Sequence, residues 1–401
     1  MAPRIPTPQV LLDTTLRDGE QAPGVALTPA EKAEYVRRAE AVGLRYIEVG
    51  FPQNAFDFEG CAAAVEAARD ARVVAMALTT STSIEAVSRV GAHEVLFVVP
   101  SSASHLRHVY GEPLDRLLGA LRDSVEQAWE CGLAVNVGLE DASERDYGLI
   151  RRILKTLEPL ADKVDCITVP DTRGQLLPSE VWPLLAQLRE HLSGFTCRLA
   201  FHAHDDLGLA TANSLAALQS QPPVDCVHVT ACGFGERAGN ASIEQLAILL
   251  AMRLGRGSGL DLTRLPDLVT YASEIFLTPV SAHSPVVGWK VFLHESGLHQ
   301  RGLLEDATTY QVFDPASVGA HTGLVLGKHS GRALRRRIER AAGCSEADVL
   351  RLQASIVCTD KERLRAEFRR CVAKTESCFL AIDMAEAERR LRDTMPASVE
   401  G

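Results

Sequence analysis

Two histidines separated by one residue are candidate metal ligands. His202 and His204 follow the largely apolar run Arg198–Phe201, and alternate residues of a strand point to the same side. Asp18 follows an earlier apolar run in a similar way. Two imidazoles and one carboxylate form a mixed nitrogen and oxygen set that suits Mg²⁺, Mn²⁺, Zn²⁺ or Co²⁺ and leaves ligand positions open for a substrate. The pattern therefore predicts that Asp18, His202 and His204 bind one divalent ion.

Two further segments carry polar groups after apolar runs. The glycine-rich stretch from Gly233 to Asn240 lacks the Lys-Ser/Thr of a phosphate-binding P-loop. If it lies at the same edge of a sheet as the histidines, Asn240 is placed to supply a further oxygen ligand. The pair Glu140 and Asp141 has two interpretations, a catalytic carboxylate pair or a helix N-terminal signal, and the local pattern favours neither.

The segment His294 to His299 resembles a zinc-protease helix only superficially. Its histidines are five positions apart, and about 100° of rotation per helical residue puts them on different faces. Gly297 weakens a helix there further. The pair is therefore not predicted to share a metal ion.

Eight short apolar or β-branched runs alternate with longer amphipathic segments. The runs are VLLDTT, YIEVGF, VVAMAL, EVLFVV, AVNVGL, CITV, RLAFHAH and VHVTAC. Helices are predicted at 29–42, after Thr28 as N-cap, and at 209–218. Eight strands separated by helices indicate an α/β TIM (β/α)₈ barrel over residues 5–255, with reactive groups at the carboxyl ends of the strands.

A second, smaller unit is expected beyond the barrel. Residues 256–344 lose the alternation and are interpreted either as packing helices or as an arm or lid over the barrel mouth, and 345–401 as a charged helical tail. Roughly 60 residues follow Arg340, fewer than a separate leucine-sensing domain needs. Feedback control through such a domain is therefore not expected.

The composition excludes several classes of protein. A net charge of -10 leaves no basic excess for binding a nucleic acid. The N-terminus lacks a signal-peptide pattern, and no apolar run approaches the roughly 20 residues of a membrane span. The ten cysteines show no CxxC pair and are read as reduced thiols. A cytoplasmic enzyme without membrane or nucleic-acid partners is the expectation.

Several ordered motifs together resemble the homocitrate, isopropylmalate and citramalate synthases, members of the DRE-TIM metallolyase superfamily. The motifs are DTTLRDGEQ, EDAS, HAHDDLGLATANSL, GERAGN, HESGLH and LGKHSG. The sequences of the EDAS and HAHDDLGLATANSL motifs are most similar to those of the bacterial nitrogen-fixation type of homocitrate synthase. The resemblance implies condensation of acetyl-CoA with a 2-oxo acid and release of CoA. Hydroxymethylglutaryl-CoA lyase shares the barrel and metal site, and lyase activity is a weaker interpretation of the motifs. A metal-binding scaffold that has lost catalysis is another weaker interpretation.

The resemblance also implies roles for individual residues. Asp18, His202 and His204 would bind the metal, with Asn240 completing or supporting the site. The remaining assignments are Arg17 for charge on the 2-oxo group, Thr172 for the substrate carboxylate, and His299 as a catalytic histidine paired with Glu140. A homodimer is implied as well, because relatives pass the region after the barrel to the neighbouring subunit.

Two arginines bear on the choice of 2-oxo acid. Arg173 replaces an apolar residue and Arg301 an aspartate of the resembled pattern, so both are candidate substrate-binding residues. If they face the pocket, an anionic tail is favoured, as in 2-oxoglutarate, oxaloacetate or phosphonopyruvate, with homocitrate synthesis first. The alternative for Arg173 is solvent or a pair with Glu140 or Asp141. Residues 78–82 lack an arginine that many relatives have, and Glu144 stands where arginine is usual, which leaves isopropylmalate or citramalate synthesis open.

Overall fold

The computed structural model describes residues 10–255, 259–357 and 361–376. The expected start of the barrel at residue 5, the boundary residue 256 and the end of the tail, 377–401, lie outside the described residues.

Eight parallel strands form a closed barrel in chain order. Asp13 of the first strand is in register with Ile47 of the second and Val229 of the eighth, which closes the sheet. Each strand falls within or overlaps one of the eight predicted runs, so the predicted TIM barrel is confirmed. The strands are β1 (Leu11–Asp13), β2 (Tyr46–Glu48), β3 (Arg72–Ala77), β4 (Glu94–Pro100), β5 (Ala134–Glu140), β6 (Val164–Asp171), β7 (Arg198–Ala203) and β8 (Cys226–Val229).

Helices surround the barrel and continue beyond it. They are α1 (Pro29–Val42), α2 (Phe58–Ala67), α3 (Ser81–Val90), α4 (Ala103–His105), α5 (Leu114–Glu130), α6 (Tyr147–Leu157), α7 (Pro178–His191), α8 (Ala210–Leu218), α9 (Ile243–Leu249), α10 (Leu265–Ile275), α11 (Gly297–Glu305), α12 (Arg332–Ala342), α13 (Glu346–Val357) and α14 (Lys361–Glu376). As expected, Thr28 caps α1, in a capping box with Glu31. Within the described ranges, no helix is long and apolar enough to cross a membrane.

The core has two layers, as a barrel requires. Side chains that point outward from the strands pack against the helices and form the larger cluster. A smaller cluster fills the barrel interior, with Leu12, Tyr46 and Leu96 among its members. The filled interior gives the carboxyl end of the barrel a fixed floor, on which side chains at the strand ends keep their positions.

The part after α10 combines, within the described residues, the four helices α11 to α14 with two short parallel strands, β9 (Leu293–His294) and β10 (Gly323–Leu324). Gln300 of α11 is buried at their centre. Its amide donates to the carbonyls of His294 and Val325 and accepts from the N–H of Gly331. These three bonds hold α11 against the strands. His294 lies on β9 and His299 on α11, so the two histidines do not belong to one helix.

Candidate active site

The predicted metal ligands converge at the carboxyl end of the barrel. His202 lies near the carboxyl end of β7, and His204 directly follows that strand. Their Nε2 atoms are 3.2 Å apart. His202 Nε2 is 3.4 Å from Asp18 Oδ2. One ligand atom from each of the three buried residues lies within 4.8 Å of the others. Two ring nitrogens that face each other at this distance require a cation or a proton between them, so the arrangement fits a metal ion.

The charge state of this cluster also fits a metal. Burial opposes the ionisation of Asp18, but Arg17 and the two imidazoles outweigh burial and hold the pKa of this carboxyl well below its ordinary value. Burial lowers the pKa values of His202 and His204, and the Asp18 carboxylate opposes that shift without cancelling it. An ionised carboxylate and two neutral imidazoles are the forms that bind a metal ion.

Asn240 supplies a fourth candidate ligand. Its amide nitrogen donates to Asp18 Oδ1 at 2.9 Å and to the carbonyl of Phe234 at 3.0 Å. Its oxygen, Oδ1, is buried without a hydrogen-bond partner. The glycine-rich loop makes this placement possible, because a Cβ on Gly235 would collide with the Asn240 amide and one on Gly239, at φ +91°, would collide with the backbone of Gly233.

Arg17 lies beside the metal ligands and is fixed by two carboxylates. Its Nη1 is 2.7 Å from Asp18 Oδ2 and its Nε is 2.8 Å from Glu48 Oε1. Glu48 is fully buried at the end of β2. Burial raises the pKa of Glu48 and the Arg17 guanidinium opposes that rise. The two acidic partners hold the guanidinium at the wall of the cavity that opens above the metal ligands.

This cavity has a volume of about 220 Å³ and contains most of the predicted site. Its walls include Arg17, Glu140 and Thr172 together with the candidate metal ligands Asp18, His202 and His204. Tyr110 donates a hydrogen bond to Glu140 Oε2 at 3.0 Å. The Thr172 hydroxyl oxygen accepts from the backbone N–H of Asp141 at 2.9 Å, which leaves the hydroxyl proton available to a ligand.

Two family models match this chain. A family model described as HMGL-like matches residues 9–271. A second, described as homocitrate synthase post-HMGL domain-like, matches residues 286–354. The chain belongs to the HMGL-like family. The first match covers the barrel, and the second covers β9, β10 and α11 to α13.

Several curated proteins are similar to this HMGL-like chain over most of its length. It is 34% identical to "Homocitrate synthase AksA" of Methanosarcina acetivorans over 88% of this chain and 86% of the relative. It is 39% identical to "Homocitrate synthase" of Frankia alni, over 80% of this chain and 90% of the relative. A "Probable 2-isopropylmalate synthase" of Methanopyrus kandleri is 35% identical, with 82% of this chain and 65% of the relative covered.

A solved structure has the same fold. The HMG-CoA lyase of Bacillus subtilis superimposes with a TM-score of 0.59 at 20% identity, over 70% of this chain and 98% of the lyase. At this identity the likeness concerns the fold, and it supports the TIM barrel of the HMGL-like chain.

Three of the residues predicted for the site lie apart from the cavity. Arg173 pairs with Asp141, its Nε 3.1 Å from Oδ1, and with Glu144. Arg301, on α11, pairs with Glu305 and is largely exposed. His299 stacks on the ring of Tyr310, with centroids 3.9 Å apart. None of the three lines the cavity of its own chain, so their roles in this HMGL-like protein stay predictions.

Three residues of the cavity region were missed by the sequence analysis. Glu48 holds Arg17, Tyr110 holds Glu140, and His228 of β8 lines the cavity beside His202. Burial, followed by the charge of Arg17, lowers the pKa of His228 to about 3. An acidic residue inside an apolar run, such as Glu48 in YIEVGF, and a histidine inside another, such as His228 in VHVTAC, were available signals. The sequence around Tyr110 offered no such signal.

Proposed function

We propose that this protein is an acyltransferase that condenses acetyl-CoA with a 2-oxo acid and releases CoA. The observation that carries the proposal is the convergence of Asp18, His202 and His204 in one cavity with Arg17 and Glu140. Such a cavity offers a metal site, a fixed cation and a carboxylate base within reach of one small substrate. The names of the relatives, homocitrate, isopropylmalate and citramalate synthases, supply the reaction.

The acceptor is bound and polarised by the residues at the strand ends. Asp18, His202, His204 and Asn240 would hold a divalent ion, which supplies Lewis acidity towards the oxo group of the acceptor. Arg17 adds a fixed positive charge next to the oxygen on which negative charge develops. The Thr172 hydroxyl, whose oxygen is occupied by the Asp141 N–H, donates its proton to the acceptor carboxylate.

Glu140 is the proposed base for the methyl group of acetyl-CoA. It is the one carboxylate of the cavity wall that the described structure ties to a neutral donor, Tyr110, and to no arginine. A carboxylate held by a single neutral hydrogen bond keeps lone pairs free to accept a proton. Tyr110 orients the carboxylate without neutralising its charge.

A second cavity gives the thioester a path to the reaction centre. It has a volume of about 380 Å³ and shares Arg17, Gln21 and Met76 with the first cavity. The carboxylates of Glu20 and Asp57 at its wall are paired by the buried Lys32, at 2.6 and 2.5 Å. Lys32 offsets one of these two negative charges, and Val25, Leu27 and Phe51 add apolar surface to the wall, so we propose that the cavity receives the pantetheine chain of the thioester.

We propose further that the protein is a homodimer in which the arm, residues 256–344, of one chain completes the cavity of the other. Glu140 lines the cavity of its own chain and His299 does not. A mixture of Glu140→Gln and His299→Ala chains tests this exchange. In an exchanged heterodimer, one cavity receives both intact residues and turnover returns. If each arm serves its own chain, every cavity stays defective and the mixture is inactive.

For the acceptor, 2-oxoglutarate is the first candidate, which makes the protein a homocitrate synthase. Two of the relatives carry that name, and Arg237 adds a guanidinium to the cavity wall, although Asp206 pairs with it at 2.9 Å. The second candidate is an alkyl 2-oxo acid, as used in isopropylmalate or citramalate synthesis. The apolar wall formed by Met76, Leu96 and Val98 favours it.

Thiol release from acetyl-CoA tests the proposal. The purified protein is incubated with 2-oxoglutarate, oxaloacetate, phosphonopyruvate, pyruvate and 2-oxoisovalerate in turn, with and without a chelator. We expect thiol release that depends on the acceptor, that the chelator abolishes and that a divalent ion restores. The acceptor with the fastest release identifies the substrate of the enzyme. Absence of acceptor-dependent release across the panel contradicts the proposed function.

A further inference from the structure

The second nitrogen of a metal-binding histidine here lacks a partner. His202 directs Nε2 towards Asp18 and His204, so in the metal-binding form its proton is on Nδ1. That Nδ1 is buried and makes no hydrogen bond to any described residue. A buried N–H without an acceptor is costly in a folded protein. In metal sites this second nitrogen usually donates to a carboxylate, a carbonyl or another acceptor that fixes the ring.

His228 lies next to the ring of His202 and has an unused atom of its own. The rings of His202 and His228 are edge to face, with centroids 5.2 Å apart and an angle of 71° between their planes. This separation allows a nitrogen–nitrogen hydrogen bond once the His228 ring turns its edge towards His202. His228 Nδ1 is also buried without a partner among the described residues. One donor and one acceptor site, both unused, therefore belong to two rings in contact.

His228 has space beside it in which to turn towards His202. It lines the large cavity at the mouth of the barrel and a smaller one of about 10 Å³ deeper in the interior, so open space adjoins the ring. The metal-binding tautomer of His202 offers only a donor at Nδ1, and a neutral imidazole accepts at one nitrogen and donates at the other. If His228 accepts from His202, its own N–H is left to point into open space of the cavities.

We infer that His228 is a positioning residue, which accepts a hydrogen bond from His202 Nδ1–H and so holds this imidazole in the orientation and tautomer that bind the ion. The inference rests on the proposed metal site. Acceptors of this kind typically change metal affinity about 10–100-fold when they are removed. No residue other than His228 is proposed for this role.

Metal titration of the metal-free protein by calorimetry tests the inference, with Co²⁺ as the probe so that its absorption spectrum reports the ligand geometry. His228→Ala is expected to bind Co²⁺ about 10–100-fold more weakly, with an altered spectrum. His228→Gln keeps a side-chain acceptor and is expected to recover part of the affinity. Cys226→Ala is the matched control, because it removes another interior side chain of β8 two positions earlier, and its affinity should stay close to that of the wild type.

The outcomes separate this inference from the proposed function. If wild-type protein binds Co²⁺ and releases thiol while His228→Ala binds as tightly as Cys226→Ala, the positioning role is overturned and the function stands. A purely structural role would lower the melting temperature of His228→Ala without moving its Co²⁺ affinity or spectrum, which also overturns the inference. If the wild-type protein binds no divalent ion, both fail together.

Discussion

The two ends of the barrel interior both contain buried charges, and they satisfy them differently. At the amino end of the barrel, the Glu94 carboxylate receives hydrogen bonds from Tyr46 at 2.5 Å and from Asn136 and Arg72 at 2.8 Å. Arg198 adds a fourth contact at 3.2 Å. The network is compact, and both oxygens of the buried carboxylate are used, while Asn136 Oδ1 is its one side-chain atom that is buried without a partner among the described residues.

The carboxyl end leaves several of its buried polar atoms without a partner among the described residues. Asn240 Oδ1 and His202 Nδ1 are buried without partners, and two imidazole nitrogens face each other across 3.2 Å. Unsatisfied buried polar atoms are costly in a folded protein and are rare unless a ligand completes them. The comparison indicates that the buried charges at the amino end stabilise the fold, whereas those at the carboxyl end are arranged to bind a ligand.

The largest expected effect comes from breaking the carboxyl end. His202→Ala removes one of the three convergent ligands, and we expect kcat to fall at least about a thousandfold, since Lewis acidity contributes several kcal/mol to such reactions. Thiol release and Co²⁺ titration measure the loss. Glu94→Gln at the amino end is the control, and its folded protein should turn over at nearly the wild-type rate. Equal losses in both variants would contradict the division between the two ends.

Glu140→Gln tests the base and should have the next largest effect. The amide cannot accept the methyl proton, so we expect kcat to fall about a hundredfold or more, while the dissociation constant of the 2-oxo acid is unchanged. Tyr110→Phe, which removes only the orienting hydrogen bond, should lose far less. Hydrogen exchange from the methyl group of acetyl-CoA, followed by NMR, measures the step directly. Undiminished exchange in Glu140→Gln would move the base to another residue.

Glu94→Gln should act on stability rather than on turnover. Arg72 and Arg198 lose the charge that compensates them, and removing one member of a buried ion pair costs about 3 kcal/mol. Burial opposes the ionisation of Glu94, but Arg198 and the hydrogen bonds outweigh it and hold its pKa below the ordinary value of 4.5. The carboxylate therefore stabilises the fold above pH 4.5, and this contribution is lost as the pH falls through the lower folded value.

Urea unfolding at two pH values checks that prediction. The midpoint of Glu94→Gln should lie below that of the wild type at pH 7, and the difference should narrow in acid, where the wild-type residue also becomes neutral. A difference that does not depend on pH would mean that packing, and not charge, accounts for the loss.

The fold and the convergence of Asp18, His202 and His204 were predictable because both depend on periodicity. Eight apolar runs, each bounded by helical segments, specify a barrel, and the rule that strand ends meet at one mouth brings Asp18 to His202 across nearly half of the chain. The residues that hold the site do not follow from a period. Tyr110 lies in a π-helical turn that no local pattern marks, and its contact with Glu140 depends on the path of that turn.

Arg173 shows a different limit. Its position at a strand end was read correctly, and both a pocket-facing and a paired arrangement fitted the sequence. The fold brings Asp141 and Glu144 to it. Asp141 itself has a positive φ of 64°, a conformation that Asp adopts more often than most residues but that the sequence alone does not specify.

Arg173→Ala is expected to have the smallest effect, and its result sharpens the comparison. The side chain is 48% exposed and paired with two carboxylates, and a half-exposed pair contributes at most about 1 kcal/mol. If Arg173 stays on that pair, kcat/KM should change less than about fivefold for every acceptor. If it instead leaves the pair to bind an anionic tail, KM for 2-oxoglutarate should rise tenfold or more, while KM for 2-oxoisovalerate stays constant. Kinetics with both acceptors therefore decide whether the carboxyl end of the barrel recognises the 2-oxo acid through the metal site alone or also through Arg173.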